Sequence, residues 1–216
     1  MVNRNVGAPD PQWVEANSRQ ETLSDGTRVL IRPILPSDKD RLKEGMKRMS
    51  PQSRYLRFLH HFETLTSAEL RYLTEIDYHD HFAWVALSLD DPDHPGLGVA
   101  RYIRDKQEPT SAEAAVAVID SFQRRGLGRL LLTRLVESAR ENGVENFVAY
   151  ITPEHPAVSH LLSTVVATVV NADGLLKVIV PIGDVGPGAD NLAILRAAAS
   201  GQVSVALPSS LKSSTM

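Results

Sequence analysis

A strand, a glycine-containing turn and a helix follow one another in the middle of the chain. Residues 114–139 read AAVAVIDSFQRRGLGRLLLTRLVESA, in which an apolar run ends at Ile119 and a strongly helical segment begins at Gly126. The first amides of a helix have no partner inside it, and the helix dipole adds partial positive charge there. Glycine lets an anion approach the backbone closely because it has no Cβ atom. The segment therefore predicts a diphosphate site.

Residues 123–128 are named the glycine turn here. The turn is not a Walker P-loop, because no Gly-Lys-Ser/Thr follows it. It is not the dinucleotide motif GxGxxG either, because Leu131 stands where the third glycine would be. Arg124, Arg125 and Arg129 add positive charge around it. The alternative interpretation is a helix start with solvated arginines.

Composition limits the classes of protein to consider. The 216 residues, 43% of them hydrophobic and 23% charged, are typical of a globular domain with tails. A net charge of −3 gives no reason to expect nucleic acid or a membrane as a partner. No apolar run approaches the length of a bilayer span, and the N-terminus lacks a signal-peptide core, so we expect a cytoplasmic protein.

The chain contains no cysteine, which excludes disulfides, thiolate metal sites and an acyl-cysteine intermediate. Any acyl group would therefore pass directly from donor to acceptor. The histidine pairs His60-His61 and His79/His81 lack an HExxH frame, so we expect no metal.

Apolar periodicity, capping residues and turn residues predict the organisation of the chain. We expect a flexible arm over residues 1–20, one domain over 21–183 and a partly disordered extension over 184–216. Strands are predicted at 28–34, 83–89, 97–104, 112–119 and 147–151, with a hairpin at 165–180. Helices are predicted at 38–49, 50–58, 66–75, 126–142, 155–163 and 191–199.

The spacing of Val118, Gln123, Gly126 and Gly128 after a strand resembles the acetyl-coenzyme A signature of the GNAT superfamily of N-acetyltransferases. The order of the predicted elements over residues 26–181 is similar to the GNAT fold. The resemblance implies an α+β fold with a mixed, mostly antiparallel central sheet and helices on both faces. It also implies acetyl-CoA as the cosubstrate.

A narrower resemblance is to the bacterial protein lysine acetyltransferases of the Pat type. It rests on four blocks, SPQSRYLRF at 50–58, LTEIDY at 73–78, GVAR at 98–101 and AEAAV at 112–116. It implies a protein lysine as the acceptor. In that group the catalytic domain is often fused to a cyclic-nucleotide-binding or acyl-CoA-synthetase-like domain. This chain has no room for one, so we do not expect regulation by cyclic AMP within the chain.

In the GNAT fold the strand before the glycine turn splays from its neighbour, and its free backbone groups pair with the pantetheine arm. A backbone N–H near Val118 would face the thioester oxygen. A buried strand would need the same side chains, so only their place before the turn is informative. The resemblance implies these cofactor-binding residues: Val116, Ala117, Val118, Gln123, Arg124, Arg125, Gly126, Leu127, Gly128, Arg129 and His155.

Glu113 is the candidate general base. A lysine amine, with a reference pKa of about 10.4, must lose a proton before it can attack. In the Pat-type enzymes the glutamate of this Ala-Glu pair accepts that proton, and Glu113 occupies its position. The alternative is a solvated glutamate after the turn at residues 109–111. Four further residues would flank the acceptor entrance or serve in capping and packing: Arg54, Tyr55, Asp77 and Tyr78.

Three positions depart from the GNAT pattern. His155 stands where many of these enzymes have asparagine, Leu162 replaces the tyrosine that protonates the leaving thiolate, and residues 165–170 replace Leu-Gly-Phe. The thiolate would then take its proton from solvent. Three functions remain open: transfer to a protein lysine, transfer to a small amine such as a polyamine or antibiotic, and a degenerate acyl-CoA-binding module. The oligomeric state also remains open.

Overall fold

The computed structural model describes residues 9–51, 53, 65–151, 167–172 and 175–183. The strands are β1 (Arg19–Thr22), β2 (Arg28–Pro33), β3 (His81–Ser88), β4 (Gly96–Arg104), β5 (Ser111–Val118), β6 (Asn146–Ile151), β7 (Thr168–Ala172) and β8 (Leu175–Pro181). The helices are α1 (Pro11–Ala16), α2 (Lys39–Lys47), α3 (Ser67–Thr74) and α4 (Leu127–Glu141), with 3-10 turns at Pro36–Asp38 and Asp120–Phe122.

The eight strands form one sheet in the order β1-β2-β3-β4-β5-β6-β8-β7. Strands β5 and β6 run parallel, and the other neighbours are antiparallel. Helix α4 connects β5 to β6, as a parallel pair requires a crossover. The predicted mixed, mostly antiparallel sheet is confirmed.

Helix α4 covers one face of the sheet. Leu127, Leu131, Leu135 and Ala139 recur at intervals of four residues and are fully buried. They pack on the side chains that point to this face, which are Phe82, Trp84, Tyr102, Ala112, Ala114, Val116 and Val118. The predicted helix over 126–142 is confirmed, because Gly126 caps it with φ 89° and Asn142 ends it.

Helices α2 and α3 lie on the opposite face, so the prediction of helices on both faces is also confirmed. Met46 and Leu73 join these two helices in one buried cluster. Helix α3 begins where predicted, because Thr66 and Glu69 form a capping box. The Glu69 carboxylate accepts a hydrogen bond from the Thr66 N–H at 2.7 Å.

Part of the expected flexible arm is folded. Residues 11–16 form α1, capped by Asp10, and the Trp13 ring packs edge-on against Tyr78 at a centroid distance of 5.3 Å. Residues 19–22 form β1, which pairs with β2 at the sheet edge. The prediction of a flexible arm rested on the polar, proline-containing composition of residues 1–20. Local composition contains no information about contacts with residues far away in the sequence.

The predicted strands at 28–34, 83–89, 97–104, 112–119 and 147–151 and the helices at 38–49 and 66–75 are confirmed, with each bound within two residues. The predicted hairpin is present as β7 and β8. Of the helix predicted at 50–58, the structure describes Pro51 and Ser53, which are both helical. The helices predicted at 155–163 and 191–199 lie outside the described residues.

Candidate active site

Strands β5 and β6 pair only at their beginnings. The parallel register joins Ser111 to Asn146, Ala112 to Phe147 and Glu113 to Val148. Beyond that point β5 stays paired with β4 as far as Val118, and β6 stays paired with β8. The opening between β5 and β6 beyond Glu113 is named the splay here. Along it, the backbone of β5 has no strand partner on its β6 side among the described residues.

The side chains beside the splay serve the core. Val116 and Val118 are each 2% exposed and point toward α4, while Ala117 is half-buried on the opposite face. A bound molecule could therefore contact β5 mainly through backbone N–H and C=O groups. This is the geometry of an added strand, in which an extended amide chain pairs with a free strand edge.

The glycine turn lies at the far end of the splay from Glu113. Arg124 and Gly126 both have positive φ, 61° and 89°, which turns the chain sharply before α4. Among the described residues, no side chain caps the first turn of α4 or accepts from the amides of Leu127, Gly128 and Arg129. A Cβ atom built at Gly126 would meet none of the described residues within 4 Å, so the surface is open at the residue that precedes α4. Such a helix start favours an anion.

The three arginines of this region have different surroundings. Arg125 forms an ion pair with Asp25 at 2.7 Å and lies over the Phe122 ring, so it ties the turn to the loop between β1 and β2. Arg124 and Arg129 are exposed and have no ion pair in the described part of the chain. These two guanidinium groups remain available to an anionic ligand.

Gln123 does not project away from the protein. Its side-chain amide Nε2 donates to the Val118 carbonyl oxygen at 3.2 Å and approaches the Ser53 hydroxyl at 3.5 Å. The amide therefore holds the turn against the end of β5. Among the predicted cofactor-binding residues, His155 lies outside the described residues, as does Leu162.

Glu113 borders a cavity of about 910 Å³ on the face of the sheet opposite α4. The glutamate is half-buried, at the last paired position before the splay opens. This cavity is named the Glu113 cavity here. Its walls come from β3, β4, β5, β6 and the segment between α3 and β3, and its lining includes Tyr72, Asp77, His81, Arg104, Val148 and Tyr150.

Tyr150 faces the Glu113 cavity from β6, two residues beyond the last β5 pair. Burial, together with the negative charge of Glu113, raises the pKa of the Tyr150 phenol above its ordinary value of 10.0. The phenol is therefore a neutral hydroxyl at physiological pH. Sequence reasoning missed Tyr150, since only the observed strand register places it on the same face as Glu113.

His81 is held neutral at the back of the same cavity. Burial and the adjacent Arg101 guanidinium lower its pKa well below 6.5. Arg101 Nη1 donates to His81 Nε2 at 3.0 Å, and a guanidinium can only donate, so the ring proton is on Nδ1. Sequence reasoning took this histidine for an ordinary loop or surface residue, with a metal ligand as the less favoured alternative.

Two of the predicted entrance residues have structural roles. Asp77 Oδ1 accepts hydrogen bonds from the backbone N–H groups of His79, Asp80 and His81, so Asp77 shapes the cavity wall. The Tyr78 hydroxyl donates to the Ile34 carbonyl oxygen at 2.8 Å. Arg54 and Tyr55 lie outside the described residues.

The two ends of the splay limit the kind of ligand that could fill it. From Glu113 to Val118, five steps along β5 span about 17 Å at 3.3 Å per residue. A molecule with its anion at the glycine turn and its reactive group at Glu113 needs an extended arm of that length. An acyl thioester on a nucleotide-linked pantetheine arm has this form.

Two further features are absent from the described residues. These residues contain no cluster of three or more His, Asp or Glu side chains suited to a metal ion. They also contain no helix with the length and apolar character needed to cross a membrane.

A sequence profile of the acetyltransferase (GNAT) family matches residues 51–162, just over half of the chain. A Pseudomonas aeruginosa protein named as an acetyltransferase is 37% identical over 130 residues, which are 60% of this chain and 69% of that protein. The acetyltransferase Pat of Mycolicibacterium smegmatis is 35% identical over 162 residues, which are 75% of this chain. The match covers 47% of that protein, so the chain spans about half the length of this relative.

The crystal structure of the GNAT domain of Streptomyces lividans PAT superposes with a TM-score of 0.66. The superposition covers 80% of this chain and 99% of that domain, at 24% sequence identity, and it shows a shared fold. The predicted resemblance to GNAT enzymes, and within them to the Pat type, is confirmed. The profile match, the identities and the shared fold agree, and the chain therefore belongs to the acetyltransferase (GNAT) family and is an acetyl-CoA-dependent N-acetyltransferase.

Proposed function

We propose that the protein moves an acetyl group from acetyl-CoA directly to the side-chain amine of a protein lysine, with Glu113 as the general base. The observation that carries the proposal is the splay, which opens immediately beyond Glu113 and leads to the glycine turn. It supports a donor that lies along β5 and an acceptor that enters from the Glu113 cavity.

The donor site follows from the backbone. Residues 116–118 would pair with the amides of the pantetheine arm, and the uncapped amides of residues 127–129 would hold the diphosphate, with Arg124 and Arg129 adding charge. Acetyl-CoA supplies an activated acyl carbon bonded to a good leaving group. Because this arrangement places the thioester near Glu113 and not near Val118, an N–H at the Glu113 end of β5 would stabilise negative charge on the thioester oxygen.

The acceptor side follows from Glu113. Its carboxylate would take a proton from the lysine ammonium, directly or through one water, so that the neutral amine attacks the acyl carbon. The C–N bond forms, the C–S bond breaks, the nitrogen loses its second proton to solvent, and the thiolate takes a proton from solvent. The chain has no cysteine, so the transfer needs no acyl-cysteine on the enzyme.

Two observations support a cationic protein side chain as the acceptor. Four carboxylates and two cationic side chains line the Glu113 cavity, an excess of negative charge that attracts an ammonium group. The relatives include an acetyltransferase named Pat, which the sequence blocks already resemble.

The proposed base is tested with Glu113→Gln. We expect this variant to bind acetyl-CoA as the wild type does in calorimetry, while turnover near neutral pH falls about 10²- to 10⁴-fold. Glu108→Gln, an exposed glutamate in the preceding loop, is the matched control and should keep full turnover. Unchanged turnover of Glu113→Gln would show that another group takes the proton.

The acceptor is tested by free-thiol release and mass spectrometry. We expect acetylated lysines in candidate proteins, with acyl-CoA synthetases as the first panel, and little product with polyamines or aminoglycosides. Turnover confined to small amines would replace the lysine assignment. Acetyl-CoA binding without thiol release for any acceptor would identify a degenerate binding module.

A further inference from the structure

The motif Ser50-Pro51-x-Ser53 has no role in the proposed chemistry, but it contacts the end of β5. Asp120, the first residue of the 3-10 turn after β5, accepts the Ser50 N–H at 2.8 Å and the Ser50 hydroxyl at 3.0 Å. The same carboxylate accepts the Ser53 hydroxyl at 2.7 Å. These hydrogen bonds hold Ser50 and Ser53, about 70 residues earlier in the chain, beside the glycine turn.

The contacts continue from Ser53 into the cofactor site. The Ser53 hydroxyl oxygen is approached by Gln123 Nε2 at 3.5 Å, and the same Nε2 donates to the Val118 carbonyl oxygen at 3.2 Å. Asp120 and Gln123 flank the 3-10 turn that links Val118 to the glycine turn. We name this set of side chains, Ser50, Ser53, Asp120 and Gln123, the turn brace.

The motif is suited to hold its side of the brace. The Ser50 hydroxyl accepts the backbone N–H of Ser53 at 3.1 Å, which is an N-cap bond, and Pro51 occupies the first helical position. This local bond restricts the positions of Ser50 and Ser53, in addition to their hydrogen bonds with Asp120. Carboxylate acceptors also form stronger hydrogen bonds than neutral ones.

The charge on Asp120 is stable at neutral pH. Burial acts to raise the pKa of this carboxyl, but the hydrogen bonds from Ser53 and Ser50 outweigh it and lower the pKa below the ordinary value. The turn brace requires the ionised carboxylate of Asp120, and this is the form present at neutral pH.

We propose that Ser53 and Asp120 are positioning residues for acetyl-CoA binding, which orient the glycine turn and the Val118 carbonyl through Gln123. The inference rests on the proposed function, in which these two backbone regions hold the donor. Without the brace, the turn would sample other orientations, and binding would have to select the competent one. Affinity for acetyl-CoA would then fall with little change in the chemical step.

The test uses calorimetric acetyl-CoA binding and initial rates on the full chain. We expect Ser53→Ala and Asp120→Asn to weaken acetyl-CoA binding by up to about tenfold, as loss of charge-assisted hydrogen bonds implies. The KM for acetyl-CoA should rise in parallel, with kcat and the KM for the acceptor nearly unchanged. Ser53→Thr keeps the hydroxyl and should restore wild-type affinity. The double variant should lose less than the sum of the single effects.

Two controls remove comparable groups elsewhere. Ser18→Ala removes a hydroxyl bonded to the Val14 carbonyl, and Asp90→Asn removes a carboxylate bonded to Arg28. Neither should change acetyl-CoA affinity.

The outcomes separate this inference from the proposed function. If Ser53→Ala and Asp120→Asn both bind acetyl-CoA with wild-type affinity and only unfold at a lower temperature, the turn brace stabilises the fold without positioning the cofactor site. That result would overturn the inference. The proposed function would stand in that case. Failure of the wild-type protein to bind acetyl-CoA would overturn both.

Discussion

Arg32 and Asp38 form a buried ion pair beneath α2, on the face of the sheet that carries Glu113. The two side chains make parallel hydrogen bonds at 2.6 and 2.7 Å, and Asp38 also accepts the Leu35 N–H at 2.8 Å. Asp38 is 1% exposed. Both charged groups are largely removed from water, and Arg41 Nη1 is a second donor to Asp38 at 3.3 Å, so the Arg32 charge is compensated chiefly by its two hydrogen bonds to Asp38.

Replacing one charged partner with a neutral side chain should therefore lower the free energy of unfolding. We expect Asp38→Asn to lower the free energy of unfolding by about 3–5 kcal/mol, because the buried Arg32 charge loses its counter-ion. Urea denaturation of the variant measures the change. Asp40→Asn, at an exposed position two residues later, is the control and should change stability by less than about 0.5 kcal/mol. A small effect of Asp38→Asn would mean that Arg32 finds water or another acceptor.

At the scale of elements, the distance between α4 and the sheet depends on Gly98, a glycine in β4 without a side chain. A Cβ atom at Gly98 in β4 would lie 3.0 Å from the Ala117 carbonyl oxygen and 3.1 Å from Leu131 Cδ1. The backbone oxygen belongs to β5 beside the splay and cannot move aside without disturbing the sheet. Gly98 thus permits the close approach of the strand and the helix that hold the donor site.

Two glycine-to-alanine substitutions should have opposite effects on stability. Gly98→Ala should lower the free energy of unfolding by about 1–3 kcal/mol through overpacking. Gly45→Ala, in the last turn of α2, meets no described atom within 4 Å and should raise it by about 0.5–1 kcal/mol through lower backbone entropy of the unfolded chain. Thermal and urea unfolding of the pair provide the measurement. Equal effects of the two substitutions would contradict the packing described for α4.

For the whole molecule, the pH dependence of stability should reflect the buried imidazole of His81. Its folded-state pKa lies well below 6.5, so the unfolded chain binds more protons than the folded one once the pH falls below about 6.5. The free energy of unfolding should then decrease as the pH falls, by up to about 1.4 kcal/mol per pH unit. The contribution is fully present above the ordinary pKa of histidine.

The comparison with His81→Gln isolates this contribution from those of other titrating groups. Glutamine can still accept a hydrogen bond from Arg101 but takes up no proton. The urea midpoint of the wild type should therefore fall more steeply between pH 7 and pH 5 than that of the variant. Parallel curves would show that His81 is protonated in the folded state with an ordinary pKa.

At the scale of residues and single elements, the amino-acid sequence determined much of what the protein is. Apolar periodicity predicted a helix over 126–142, and capping and turn residues predicted one over 66–75, because caps and helix faces depend on neighbours in the chain. The glycine turn predicted the anion site for the same reason. The role of Glu113 as the candidate base was predicted from the sequence block of the family in which it stands.

Only the tertiary structure decided the relations between distant segments. It placed Tyr150 on the same face of the sheet as Glu113 and paired β1 with the sheet, neither of which has a local sequence signal. It also gave the side chains of Asp120 and Gln123 a shared partner in the Ser53 hydroxyl. Strand register and such hydrogen bonds arise when the core packs, since residues far apart in the chain then become neighbours. Local propensity cannot encode them, because each depends on where the rest of the sheet has already formed.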